Sequence, residues 1–365
     1  MNLDASLSEL RALLHGPPDH AAVDGLWRLV LPIPAEPFSR VVLPYVRGLL
    51  DRGAWSGSFI GLPSQHQHAL LEEGHTPQLE LVTHLDPGAT LSSRQIELAL
   101  ARPELSNLRS FFQPGRYVYE EGHSISDTLD ALFERPPPSL HRLKLTDSQR
   151  ALPMLTRLLD APLWERLDTL TLNGLTVYDD AMATLLTGVT LPPSVTLSFA
   201  RVYNGQIPPI LAAADTSRVR HLGLETYSMN QRWDTQTPMI DAALIVLASH
   251  HTLTSLTVGY HGIDAEGVRV LTGSPHVHSL RHLRLDGELD PRGVEVLSQS
   301  ANLDALTHLD LRSCTLSLEA IGRLTDARLP ALEVLTILAA YRKAPSDAQV
   351  RRALAPLVAR GVTLR

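Results

Sequence analysis

The hexad Leu306-x-x-Leu309-x-Leu311, completed by Cys314 and Leu316, constrains the fold of this chain more than any other feature. Related triplets stand at Leu140/Leu143/Leu145, Leu167/Leu170/Leu172, Val219/Leu222/Leu224, Leu253/Leu256/Val258, Leu280/Leu283/Leu285 and Leu332/Leu335/Ile337, with a weaker copy at Leu197/Phe199 and a terminal half-copy at Val362/Leu364. Counted by the second anchor, the repeats fall at 143, 170, 197, 222, 256, 283, 309, 335 and 362. The steps are 27, 27, 25, 34, 27, 26, 26 and 27 residues. A self-similar period of that size marks a stacked array in which one unit cannot bury its apolar face alone.

Each repeat changes period halfway. The end of a hexad alternates apolar and polar residues, as in Leu283-Arg284-Leu285, which is the pattern of a short strand with one face inward. The residues that follow carry helix signals. Asp264 is placed to cap a helix that turns Val268 and Leu271 inward, with Glu266 in its first turn. Asp290 is a second cap, with Pro291 at the first helical position, and Ser317 is a third. Strand then helix, about nine times over, predicts a parallel sheet on one side and helices on the other.

These hexads resemble the leucine-rich repeat family, and the 25 to 27-residue repeat with a full helix is similar to its ribonuclease inhibitor-like and cysteine-containing subclasses. The resemblance covers residues 139–365. It implies an α/β leucine-rich repeat solenoid, with a curved parallel sheet inside and helices outside. After the strand, where the family carries Asn or Cys, this chain keeps Cys314 but has Ser148, Leu175 and His261 elsewhere. Residues 76–138 read as irregular first repeats, with strands near 79–81 and 105–108 and a helix over 92–100 between them. Residues 1–75 hold no hexad. Their segments LSELRALL, AVDGLWRLV and FSRVVLPYVRGLLDRG have helical spacing, with Pro32, Pro34 and Pro37 between the second and third, and predict an N-terminal helical cap.

Composition narrows the function classes. A net charge of -7 argues against a nucleic-acid partner, which needs a concentrated basic surface. One cysteine in 365 residues excludes an internal disulfide framework. The start MNLDASLSEL does not read as a secretion signal, and stretches such as AALIVLA are too short to span a bilayer. A cytoplasmic protein with no membrane partner is expected.

No P-loop, GxGxxG, GxSxG or HExxH segment occurs, so no local enzyme signature is present. His66, His68 and His75, with Glu72 and Glu73 nearby, are of the right type for zinc. On a helix, however, His66 and His68 would point about 200° apart, and exposed polar residues are the expectation. Cys314 reads as a buried structural thiol rather than a nucleophile. No metal and no cofactor are expected.

Two surfaces qualify for partner binding. The polar positions beside the second and third anchors are small and neutral in the middle repeats. The repeats at 283 and 309 instead bring His282, Arg284, Asp286, His308, Asp310 and Arg312 onto adjacent strands. That alternation fits either cross-strand pairing on an exposed sheet or a polar recognition patch, with the histidines sensitive near pH 6 to 7. The other surface comes from two long intervals, 108 to 143 and 222 to 256, whose insertions at 111–127 and 227–237 both follow a strand. They hold Phe111, Phe112, Tyr117, Tyr119, Tyr227 and Trp233, and seven of the eight tyrosines, Tyr260 among them, follow a strand. Tyrosine suits both a packed rim and a binding edge.

A non-enzymatic protein-interaction scaffold, binding a protein partner through the concave sheet and the strand-to-helix edge, is therefore the leading expectation. The alternative is a GTPase-activating or enzymatic solenoid using the His/Arg/Asp patch of the C-terminal repeats.

Overall fold

The computed structural model describes residues 3–50, 54–55, 58, 60–67, 75–87, 91, 93–113, 125–146, 151–177, 180–202, 206–226, 236–249, 253–259, 265–286, 289, 291–312, 314, 316–326, 328–337 and 346–365. The chain forms two compact units, Met1–Thr146 with Pro153–Asp168, and Asp147–Leu152 with Thr169–Arg365. The first unit carries β1 (His84–Leu85), β2 (Ser110–Gln113) and β3 (Arg142–Thr146), parallel and in chain order. The second carries β4 (Thr169–Val177), β5 (Ser194–Val202), β6 (His221–Thr226), β7 (Ser255–Gly259), β8 (His282–Leu285), β9 (His308–Asp310), β10 (Val334–Thr336) and β11 (Thr363–Leu364), again parallel and in chain order. Helices follow the strands, as in Ala265–Gly273 after β7, Pro291–Gln299 after β8 and Leu318–Arg323 after β9. This is the α/β architecture of a leucine-rich repeat solenoid.

The anchors do what their spacing requires. Leu280, Leu283 and Leu285, and Leu306, Leu309 and Leu311, are buried to within 1 % of completely. Burying each such side chain contributes about 1.5–3 kcal/mol. Leu256, Leu283, Leu309 and Leu335 are direct neighbours across β7 to β10, so the second anchors form one ladder. Just before each strand, one carbonyl receives two N–H groups from the next repeat. Thr254 O accepts from Arg281 and His282, Arg281 O from Thr307 and His308, and Thr307 O from Glu333 and Val334, at 2.8–3.0 Å.

A second recurring device precedes the first anchor. A short 3-10 turn buries one apolar residue, whose carbonyl accepts the anchor's N–H: Val277 for Leu280, Leu303 for Leu306 and Trp164 for Leu167. The same device corrects the upstream strands. Residues 79–81 and 105–108 are not strands: Pro77–Leu81 and Pro103–Asn107 are 3-10 turns, each opened by a proline. Leu79 and Leu105 occupy the position of Val277, and they hand their carbonyls to Val82 and Leu108. The true anchors are Val82 with Leu85 and Leu108 with Phe111, all fully buried. Leu85, Phe111 and Leu143 lie opposite one another, so the first long interval runs from 111, not 108, to 143.

Two further anchors shift. Leu170 and Leu222 both pair with Val195, not Leu197, because LPPSV sets Leu191 four residues before its partner instead of three. At the end of the chain Leu335 pairs with Leu364, which replaces Val362 as second anchor. Gly361, at φ 93°, makes the turn into that strand.

The helices Leu3–Leu14, His20–Val30 and Leu43–Leu50 belong to the first unit. A single π turn, Phe38–Val42, precedes Pro44, and Leu43 N–H donates to Phe38 O. The wider turn accommodates a proline that lacks an N–H to give. Buried Trp27 and Trp55 donate their indole N–H groups to Gly61 O at 2.7 Å and Gly16 O at 3.0 Å, and Gln78 donates to Ile33 O at 2.8 Å. Among the described residues no helix is long and apolar enough to cross a membrane. Ser317 caps its helix by accepting from Ala320 N–H at 3.1 Å, whereas Asp264 and Asp290 lie outside the described residues.

Cys314 is 2 % exposed, and its thiol donates to Leu285 O of the preceding repeat at 2.9 Å. It is a structural tie between repeats. Its native-state labelling by a thiol reagent should be at least ~10-fold slower than in denaturant, because burial suppresses thiolate reactivity. Cys314→Ala should cost about 1–3 kcal/mol in a urea melt, with the lost bond and the lost packing adding. Labelling as fast as the unfolded chain would contradict this role.

Candidate functional site

The sheet face opposite the anchors consists of the residues that alternate with them. Register brings His221, Ser255, His282 and His308 into one row across β6 to β9, and Gly223, Thr257, Arg284 and Asp310 into the next. Glu225 and Gly259 begin a third row, which Asp286 adjoins. The sequence thus places His282, Arg284, Asp286, His308, Asp310 and Arg312 on neighbouring strands, and the structure assembles them. Tyr117, Tyr119, Tyr227, Trp233 and Tyr260 lie outside the described residues.

The ion pairs run differently from a cross-strand pattern. Arg284 reaches along its own strand to Asp286, with Nε 3.1 Å from Oδ1 and Nη2 2.9 Å from Oδ2. Arg312 likewise folds back on Asp310, whose oxygens also accept from the Arg312 backbone N–H at 3.0 Å. Residues two apart on a strand share a face, and a guanidinium fork matches a carboxylate at that reach. Cross-strand attraction survives as a second layer, since Arg284 stands opposite Asp310.

Arg284 is a cation among carboxylates. Burial works against its charge, but the bonds to Asp286 and the nearby charges of Asp286, Asp310 and Glu225 outweigh it and raise its pKa. Burial likewise opposes the Asp310 carboxylate, but the bonds and charge of Arg312, with Arg284 beyond, hold its pKa down. Asp286, only 4 % exposed, needs the Arg284 fork because an unpaired buried carboxylate is costly. Gly259 lets this happen: a Cβ there would sit 3.0 Å from Asp286 Oδ2 and 3.4 Å from Glu225 Cγ.

Beside these charges His282 and His308 stack, with ring centroids 4.3 Å apart and planes 10° from parallel. Partial burial lowers the His282 pKa below 6.5, and the neighbouring His308, His221 and Arg281 lower it further. Thr307 Oγ1 lies 2.9 Å from His308 Nδ1.

Toward β5 the face turns small and neutral. Ser194 and Thr196 are the face positions here, following the register set by Val195, while Ser198, opposite Glu225, is fully buried. Gly223 is required, since a Cβ there would stand 2.7 Å from Thr196 Oγ1 and 2.9 Å from its Cγ2.

The first unit has a face pair that sequence reasoning missed. Lys144 Nζ lies 4.1 Å from the Phe112 ring centroid, and the two residues are direct neighbours on β2 and β3. The signal was available, because placing Phe111 as an anchor turns Phe112 onto the open face. On β1, burial lowers the His84 pKa, and its Nδ1 meets Ser110 Oγ at 3.0 Å.

His75 Nδ1 lies 2.7 Å from the buried Glu104 carboxylate. His68, Glu72 and Glu73 lie outside the described residues, and among those described no three His, Cys, Asp or Glu side chains are grouped to hold a metal.

No protein-family model matches the sequence, and no curated protein sequence does. Among solved structures, the chain is similar to one in the crystal structure of the Rad7 and Elc1 complex in yeast. The identity is 13 % and the TM-score 0.44, over 99 % of this chain and 92 % of that one. It is also similar to a chain of the Toll–Spatzle complex of Drosophila, at 12 % identity and TM-score 0.23, over 80 % of this chain and 44 % of that one.

Two outcomes follow from this geometry. His282, with a folded pKa below its unfolded value, adds stability that is fully present above pH 6.5 and lost as pH falls through the folded pKa. The melting temperature should therefore drop between pH 7.5 and 5, and His282→Gln should remove part of that drop; an identical pH profile would refute the assignment. Gly223→Ala should destabilise by about 1–3 kcal/mol through overpacking against Thr196. Adding Thr196→Ala should restore at least ~0.5 kcal/mol, the coupling expected of residues in contact.

Proposed function

We propose that this chain is a non-enzymatic scaffold that binds a protein partner through the face of β6 to β9. The observation that supports this reading is the assembly of His282, Arg284, Asp286, His308, Asp310 and Arg312, with Glu225, on an open sheet surface. Both arginines are already committed to carboxylates on their own strands. Rigid, mutually oriented charges suit recognition, because little side-chain entropy remains to be lost on binding.

Three carboxylates stand against two guanidiniums, so the patch keeps one negative charge when its histidines are neutral. It favours a partner with basic or hydrogen-bond-donor groups and disfavours a phosphate backbone. The flat, stacked imidazoles offer an apolar surface beside those charges. A central, partly desolvated anchor ringed by polar contacts is the usual composition of a binding hot spot.

Tyr117, Tyr119, Tyr227, Trp233 and Tyr260, which follow strands in the sequence, are proposed as further partner-binding residues. A ribonuclease inhibitor-like repeat subclass, with residues 1–75 closing the first repeat as a cap, fits the same reading. A reducing, cytoplasmic setting suits a chain whose single thiol is buried.

Quantitative affinity capture with mass spectrometry, comparing three baits, tests the proposal. Wild-type protein should enrich a partner, and His282→Ala with Arg312→Ala should weaken its capture at least ~10-fold, as loss of a hot-spot residue does. Tyr117→Ala with Tyr119→Ala and Trp233→Ala should weaken capture without altering the circular-dichroism melt. Undiminished capture by the first variant would exclude the sheet patch, and by the second would exclude the edge.

A further inference from the structure

The N-terminal ends of β6, β7 and β8 carry charge of nearly one sign. The connections that enter these strands, residues 214–221, 250–255 and 274–282, hold three arginines and six histidines against one acidic residue, Asp215. Parallel pairing sets the three ends side by side, with His221, Ser255 and His282 in one row and Arg220, Thr254 and Arg281 immediately ahead of them. Arg218, Arg220, His221, Arg281 and His282 are all exposed. His250, His251 and Thr252 lie outside the described residues, and none of them is an acid.

Nothing within the chain answers this charge. The Asp215 carboxylate is occupied, accepting from the Thr190 hydroxyl at 2.8 Å and from Ser217 N–H at 3.0 Å. Farther along the strands Arg284 and Arg312 are each held by a carboxylate. The guanidiniums of Arg218, Arg220 and Arg281, in contrast, make no hydrogen bond or ion pair with another described residue. Burial lowers the His282 pKa, and the charges that lower it further, those of His308, His221 and Arg281, are all positive. Exposed cations without an internal counter-charge attract an external one, and a neutral imidazole still offers an N–H to a carboxylate.

The extent of the run selects the occupant. Residues 187–194, which enter β5, hold no charged side chain, and on the other side the exposed Asp304 and Glu333 precede β9 and β10. Arg220 and Arg281 are two strands apart, which is about 10 Å at the usual strand spacing. Two carboxylates of one chain span that distance, whereas a single carboxylate or phosphate group does not. A nucleic-acid backbone is disfavoured, because its continuous phosphates would run on into Asp304 and Glu333 or down the strands toward Glu225, Asp286 and Asp310. We infer that the N-terminal ends of β6 to β8 dock an acidic segment of a partner protein, with Arg220 and Arg281 each taking a carboxylate. The inference rests on the scaffold reading in making the occupant a protein, and it gives that face a second pole of opposite sign.

Fluorescence anisotropy of the full chain at low salt, where screening is weak, tests it with labelled glutamate and glutamine decapeptides and an oligothymidylate of the same length. The glutamate peptide should bind saturably, and the glutamine peptide at least ~10-fold more weakly for want of charge. Arg220→Gln with Arg281→Gln should weaken the glutamate peptide at least ~5-fold, the scale of two exposed ion pairs, with the melting temperature unchanged. Arg351→Gln with Arg352→Gln removes the same charge from the exposed side of the helix Asp347–Ala353 and should leave the affinity within ~2-fold, because screening hides distant charges. Absence of saturable binding, equal binding of the two peptides, wild-type affinity in the first variant, an equal loss in both variants, or tighter binding of the oligothymidylate would each overturn the assignment. The peptide comparison on the wild type needs no variant to fold. Because the titration uses purified components, its failure leaves the affinity-capture comparison standing, and a failed capture leaves the titration standing.

Discussion

Everything else in this structure depends on the direct stacking of one apolar side chain per repeat. A strand of three to six residues cannot hold itself together, and its few backbone bonds form only when the next repeat supplies a partner. In the second unit Leu222, Leu256, Leu283, Leu309 and Leu335 supply that alignment, each opposite the next. Once they are in line, the carbonyls of Thr254, Arg281 and Thr307 are positioned to take two N–H groups each. Alternation then leaves no freedom about what faces outward: the residues between the anchors are displayed in rows, about 4.8 Å apart, whatever their chemistry.

That dependence explains what could be read from the sequence and what could not. Where leucine keeps the three-then-two spacing, from 253 to 337, pattern and register coincide, and the patch residues were legible by position alone. Sequence pattern and sheet register part where other forces place apolar residues at similar intervals. Leu79, Leu81 and Leu105 imitate anchors because a proline-opened 3-10 turn also buries its leucines. Phe111 does the work of a leucine anchor without matching the motif, and Val195 does so after one extra residue. A hexad search counts residues, but the sheet counts hydrogen-bond partners.

Within the site, sequence spacing gives the shared face but not the pairing. Arg284 stands opposite Asp310 across the strands, yet its fork is taken by Asp286 two residues on. Position on the pleat cannot decide between two carboxylates at comparable reach. The bare Gly259 decides it, because it opens room for the Asp286 carboxylate to lie over β7.

The histidine pair gives the patch a character that depends on proton concentration. Two imidazoles stacked at 4.3 Å cannot both be charged without direct repulsion, and partial burial already disfavours the His282 cation. Burial therefore favours the neutral form of His282, and the fixed charges beside it are those of Glu225, Arg284, Asp286, Asp310 and Arg312. Acidification adds positive charge to a surface that carries one net negative charge. Protonation of His282, which burial and its neighbours oppose, would weaken the attraction of the proposed patch for a basic partner only once the pH falls below the lowered His282 pKa.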